Sequence, residues 1–131
     1  QKIAVTSCLL QKVDLYALDE PSAFLDVEDR IAVGKFLQKF VRSFGKSAII
    51  IDHDLQLMDL VSDSMVIFEG TSGLEGNATE PMQKHTAMNQ FLKSLNITFR
   101  RDEKSSRPRV NKDGSRLDKT QKDSLNYYYK Q

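Results

Sequence analysis

The sequence predicts an α/β fold, with buried parallel strands and flanking helices followed by an extended basic tail. Two short apolar runs, residues 15–18 and 48–51, each lead straight into acidic residues, as strands that deliver side chains to the C-terminal edge of a parallel sheet do. Between them lies a stretch of helical periodicity, so the order strand, helix, strand is that of a right-handed crossover unit. The third observation is a shift in composition. Residues 1–70 hold seven Lys/Arg against eleven Asp/Glu, and residues 71–131 hold twelve against seven. From Thr98 onward aliphatic residues thin out and basic residues outnumber acidic ones ten to five. Two segments are therefore expected, residues 1–96 and 97–131.

Taken in order, residues 1–12 place Ile3, Val5, Cys8 and Leu9 at helical spacing. A strand at 13–19 follows, and Pro21 stops its ladder. Asp26 caps a helix from Val27, with Asp29 three residues on in the capping-box position. Val27, Ile31, Phe36, Leu37, Phe40, Val41 and Phe44 form that helix's apolar stripe, and Gly45 ends it as a left-handed terminator. Residues 47–52 form the second parallel strand, residues 55–61 a short helix, and residues 65–68 a third parallel strand closed by Glu69 and Gly70. Residues 70–81 read as a loop. Pro81 starts a last helix reaching Leu95, with Asn96 as its left-handed end.

The 131 residues suffice for roughly one domain. No apolar run approaches the roughly 18 residues of a membrane span, and no charged-then-apolar leader opens the chain, so a cytoplasmic protein without a membrane partner is expected. Cys8 is the only cysteine, which excludes an internal disulfide and any cysteine-built iron–sulfur or zinc site, and an inert buried thiol is expected. The chain opens on Gln1 within a predicted helix and reads as a piece of something longer. Its apolar faces over residues 3–18 need a partner, so low stability in isolation is expected.

The chemistry concentrates at the strand ends. Asp19 and Glu20 form a carboxylate pair suited to Mg-nucleotide chemistry, in which one acid holds the metal through water and the next orients or deprotonates the attacking water. His53 stands at the end of the next strand, where adjacent parallel strands bring their edges together. There it either senses a γ-phosphate or merely caps the following helix. Asp26 is a helix cap worth about 1 kcal/mol, and it also reads as the lip of a site touching a second domain. Gly45, Lys46 and Ser47 imitate a phosphate-binding loop, but Phe40 stands where its first glycine belongs, and the triplet enters a strand rather than a helix. The main affinity for ATP must come from elsewhere. His85 receives no role. In the tail, Tyr127, Tyr128 and Tyr129 read as anchors in apolar grooves of a protein partner or as stacking platforms for RNA bases.

Leu18–Pro21, then Ser22, Ala23, Phe24, Leu25 and Asp26, then Asp52, His53 and Asp54 resemble the Walker B strand, D-loop and switch histidine of ABC-type ATPases, which carry a P-loop NTPase core. ITFRRD at 97–102, RPRVNK at 107–112, then Ser115, Leu117, Asp118, Gln121, Lys122 and the three tyrosines resemble the C-terminal end of the ribosome-recycling members of archaea and eukaryotes, the RNase L inhibitor family or ABC subfamily E. The resemblance covers essentially the whole chain, from just past the signature motif of the second nucleotide-binding domain. It implies a catalytic Glu20, a switch His53, an Asp19 serving Mg²⁺, and a D-loop of Ser22, Ala23, Leu25 and Asp26 facing the opposite domain. It also implies a hinge segment whose partner contacts are Arg100, Arg101, Arg107, Arg109, Lys112, Tyr127, Tyr128 and Tyr129. Such proteins use ATP and Mg²⁺ to split ribosomes. Their partners are the rest of the same ATPase, the small ribosomal subunit, and a release factor or its stalled-ribosome relative. Their two 4Fe–4S clusters lie in an N-terminal domain with no counterpart here, and the Walker A loop, the Q-loop, the signature motif and the whole first ATPase domain have none either. Phe24 replaces an expected tyrosine and Asn96 an expected glycine. Two other readings stay open on the residues alone: a non-catalytic interaction module docking through the tail, and a DNA-repair or transporter ATPase sharing the core motifs.

Overall fold

The computed structural model describes residues 1–71, 73–103 and 107–129. They form two compact units, Gln1–Val61 and Ser62–Gln131.

The first unit holds α1 (Lys2–Leu9), β1 (Leu15–Asp19), α2 (Val27–Ser43), β2 (Ser47–Ile51) and α3 (Leu55–Val61). β1 and β2 pair in parallel, with Leu15 opposite Ser47 and Asp19 opposite Ile51, so the predicted crossover unit is present. Val5, Leu9, Tyr16, Leu18, Val33 and Leu37 form the core, with Leu25, Phe40, Ala48 and Ile50 packed against it. Alternation along the strands sends Tyr16 and Leu18 into that core and leaves Leu15, Ile49 and Ile51 between 54% and 59% exposed on the opposite face. Cys8 is half-buried against the core rather than fully enclosed. The signals that bound α2 operate as read. The Asp26 carboxylate accepts from the Asp29 N–H at 2.8 Å, and Gly45 takes φ +59 beyond the end of α2.

The second unit holds β3 (Ser64–Met65), β4 (Phe68–Thr71), β5 (Glu75–Ala78), β6 (Met82–Gln83), α4 (Lys84–Ser94), β7 (Phe99–Arg101), β8 (Pro108–Val110) and α5 (Arg116–Asp123). Here the expectation of a third parallel strand is corrected. β3 pairs antiparallel with β6, and β4 pairs antiparallel with β5 across what reads as a loop. Gly70, at φ +149, makes this hairpin feasible, because a Cβ there would lie 2.2 Å from the Glu75 carbonyl oxygen. Asn96 ends α4 at φ 55, as predicted.

The tail is also corrected. It is not an irregular extension but a β7–β8 hairpin followed by α5, and Tyr127, Tyr128 and Tyr129 are buried at 8%, 1% and 7% exposure. The cause is a set of polar anchors. Asn89 of α4 accepts the N–H groups of Tyr127 and Tyr128 through its Oδ1 and donates to the Leu125 carbonyl. The Phe99 N–H donates to the Tyr127 carbonyl at 2.7 Å. Thr98 and Asn111, both buried, join Asp118 and Gln121 in one hydrogen-bond network.

Candidate functional site

The parallel register dictates what meets at the rim of the first unit. Because Asp19 lies opposite Ile51, the residues that follow, Glu20 and Asp52–His53, leave the sheet together. The Glu20 N–H continues the ladder by donating to the Ile51 carbonyl at 2.8 Å, and the Glu20 carbonyl accepts from the Ala23 N–H and the Gln1 Nε2. These bonds hold Glu20 at φ 44, a left-handed conformation that costs a non-glycine residue about 1 kcal/mol or more. The turn then aims the side chain at the neighbouring strand end. Glu20 Oε1 stands 3.4 Å from His53 Nδ1, with the two side chains 55% and 77% exposed.

Asp52 lies beneath this pair. Its side chain is wholly buried and 3.9 Å from His53 Nδ1. Oδ1 accepts from the Ser22 hydroxyl (3.0 Å) and the Asp54 N–H (2.9 Å), and Oδ2 accepts from the Ser22 N–H (3.2 Å). A second bridge runs alongside. Arg30 donates through Nε to the Leu25 carbonyl (2.9 Å) and through Nη1 to Asp54 Oδ2 (2.8 Å). Asp54 also caps α3, its Oδ1 accepting from the Gln56 and Leu57 N–H groups. Burial pushes the Asp54 carboxyl up, but Arg30 and the two N–H groups outweigh it and leave it below its ordinary 3.8. An open groove of about 430 Å³, lined by Val27, Arg30, Ile31, His53, Asp54 and Leu57 among others, adjoins the histidine.

Of the predicted site residues, the fold thus brings Glu20, His53 and Ser22 together around Asp52 and places Asp19 exposed at the same edge. Ala23 and Leu25 are half-buried in the intervening loop, and Asp26 is committed to its cap. Among the described residues no group of three or more His, Cys, Asp or Glu is gathered to hold a metal. Asp19 is an exposed carboxylate at the sheet edge, which fits an ion that takes its other ligands from phosphates and water. The sequence reading gave Asp52, Arg30 and Asp54 no role. The Asp-His-Asp triplet carried the signal for two of them, while nothing local marks Arg30, whose partners lie 5 and 24 residues away.

The basic residues expected to meet a partner divide differently. Arg100 and Arg109 are cross-strand neighbours on the β7–β8 hairpin. Arg100 binds Asn111, Arg109 pairs with Asp102 at 3.2 Å, and Arg107 and Lys112 are exposed. Arg101 stacks its guanidinium 4.6 Å from the centre of the Tyr129 ring and donates to that tyrosine's hydroxyl. With their rings buried, the three tyrosines serve the interior of the second unit, correcting their expected role as surface anchors.

No family model matches the chain. It is 43% identical over 98% of its length to an uncharacterised ABC transporter ATP-binding protein of Methanocaldococcus jannaschii, and 42% identical over 98% to the translation initiation factor RLI1 of Saccharomyces cerevisiae. Its backbone superposes with a TM-score of 0.93, at 45% identity over 98% of its residues, on an archaeal ribosome recycling factor, aABCE1, solved in complex with the ribosomal stalk protein aP1. The chain belongs to the RNase L inhibitor family of ABC ATPases. It spans about a fifth of the curated relatives it matches, 22% and 21% of their lengths, and 25% of the solved recycling factor.

Proposed function

We propose that this segment supplies the hydrolytic rim of an ABC-type ATPase that splits ribosomes into subunits. The observation that carries the reading is the 3.4 Å approach of Glu20 to His53 across two adjacent parallel strand ends, with both side chains open to solvent. Glu20, fixed by its left-handed turn, orients and deprotonates the attacking water. His53 turns Nδ1 toward Glu20 and Asp52, leaving Nε2 free to meet a γ-phosphate oxygen. Asp19 holds Mg²⁺ through water, and the ion supplies charge neutralisation on the phosphates. Asp26 and the loop before it face the opposite nucleotide-binding domain.

The phosphate cradle and the signature motif come from the rest of the ATPase, so the segment alone does not turn ATP over. Arg100, Arg107, Arg109 and Lys112 offer a basic surface to the ribosomal side, where the small subunit and a release factor or its stalled-ribosome relative are the partners. The protein acts in the cytoplasm, and the family's 4Fe–4S clusters lie outside this segment, whose single cysteine cannot ligate one.

The test is ATP turnover by the complete ATPase with Glu20 intact and as Glu20→Gln, together with its cofractionation. Turnover lost on substitution and association with small ribosomal subunits support the reading. Undiminished turnover would sink it, and association with DNA ends or membranes would reassign the core to a repair or transport ATPase.

A further inference from the structure

We propose that Asp52 is a positioning residue: through Ser22 it fixes where His53 stands relative to Glu20. The proposal rests on the reading of this rim as the hydrolytic site.

Three observations carry it. First, the Asp52 carboxylate is wholly buried, and all its hydrogen bonds to the D-loop go to one residue, Ser22, by way of both the hydroxyl and the N–H. A buried carboxylate is retained only when its donors are fixed in place, so this group ties the loop to the strand end firmly. Second, the tie begins where the sheet stops. The β1–β2 ladder ends at Asp19 opposite Ile51, with one more bond from the Glu20 N–H, and beyond that no strand pairing sets the spacing of the two chain segments. The Ser22–Asp52 bridge replaces the ladder at the point where Glu20 and His53 diverge from it. Third, His53 is flanked by two tethered neighbours. Asp52 is held to Ser22, and Asp54 is held through Arg30 to the Leu25 carbonyl. The imidazole is largely exposed, but its backbone cannot move away from the loop at residues 22–25 without breaking one of these bridges. A separation of a fraction of an ångström between a base and a phosphate-sensing group is enough to slow a reaction, so a residue that never touches substrate governs the rate here.

The experiment uses the complete ATPase. Ser22→Ala removes the hydroxyl bond while keeping the N–H bond, and Asp52→Asn keeps the shape while placing an amide donor among donors. Each is expected to lower kcat about tenfold with KM for ATP within about twofold, because the lost geometry matters at the chemical step and not for ground-state binding. In a His53→Ala background the same substitutions are expected to add little further loss, since they act through the histidine. Losses that multiply in that background, a rise in KM matching the fall in kcat, or unchanged kcat in both variants would overturn the proposal. The parent reading fails separately: Glu20→Gln would then leave turnover intact whatever the Ser22 and Asp52 variants do.

Discussion

Asp52 in the first unit and Asp118 in the second are both buried carboxylates fed by several donors, yet one lies beneath an open rim and the other closes a core. Around Asp118 the polar groups are saturated. Thr98 donates to it at 2.6 Å, the Gly114 N–H at 3.0 Å and Lys122 at 3.0 Å, while Thr98 itself accepts from Asn111. The Thr98 hydroxyl foremost, with Lys122 and Gly114, holds the Asp118 carboxyl below its ordinary value against the opposing effect of burial. Around Asp52, by contrast, the donors are used up within two loops, and the groups above it remain unsaturated. Glu20 and His53 meet at 3.4 Å, longer than a good hydrogen bond, and stay largely exposed. A closed network lends stability, whereas a rim with free donor and acceptor capacity can take up a reacting group.

The largest effect that would break or sharpen this contrast is at Glu20. Glu20→Gln is expected to cut ATP turnover of the complete ATPase by about 10²- to 10⁴-fold, the usual range for removing a general base. Because the side chain is exposed and the bonds that fix the residue all use its own backbone N–H and carbonyl, stability should move by no more than about 0.5 kcal/mol, read from a urea midpoint. A large loss of stability would mean that the rim is structural, like the Asp118 network. The converse substitution comes next. Asn111→Ala removes the donor to Thr98 and Gln121 and the acceptor for Arg100, and it is expected to cost about 2–4 kcal/mol in the second unit. Hydrogen exchange of the β7–β8 hairpin amides checks this, and exchange confined to the wild-type rate would show the network to be dispensable.

The same contrast explains what the residues reveal when read as text. The strand, helix and strand of the first unit were legible because apolar runs and a 3.6-residue stripe mark them, and the meeting of Glu20 with His53 followed from parallel pairing alone. The second unit hid its architecture. Its hairpin at residues 68–78 alternates little, since all eight strand residues are exposed, and it depends on Gly70 permitting a close backbone approach. The tail stayed unread because Thr98, Asn111 and Asp118 occupy interior positions that apolar periodicity would assign to aliphatics. The bonds that join these three to one another and to Gln121 span 10 to 20 residues, a separation no local pattern encodes.

Acid sharpens the comparison further. Asp54 and Asp118 are both held below their ordinary 3.8, so each stabilises the fold fully above that value and loses its contribution as pH falls through its lower folded-state value. Stability should therefore be flat with respect to these two groups above about pH 5 and decline only in stronger acid. Unfolding followed from pH 7 to pH 2 checks the sign, and Asp118→Asn should flatten the acid limb in the second unit. A decline that begins near neutrality would assign the acid sensitivity to other groups.

The smallest effect isolates burial within a single side chain. Lys122 reaches two carboxylates at nearly the same distance, Asp118 at 3.0 Å and Asp113 at 3.1 Å, but their side chains are 3% and 95% exposed. Geometry alone would rank the two pairs as equals. Solvent screens the outer pair and leaves its acid free to hydrate when the bridge opens, whereas Asp118 has no water to fall back on. Asp113→Asn is thus expected to leave the melting temperature within about 2 °C of the parent, with any shift vanishing in 0.5 M salt. Asp118→Asn should lower it by several times as much, with little dependence on salt. Equal shifts from the two substitutions would mean that charge count, and not the closed network, holds the second unit together.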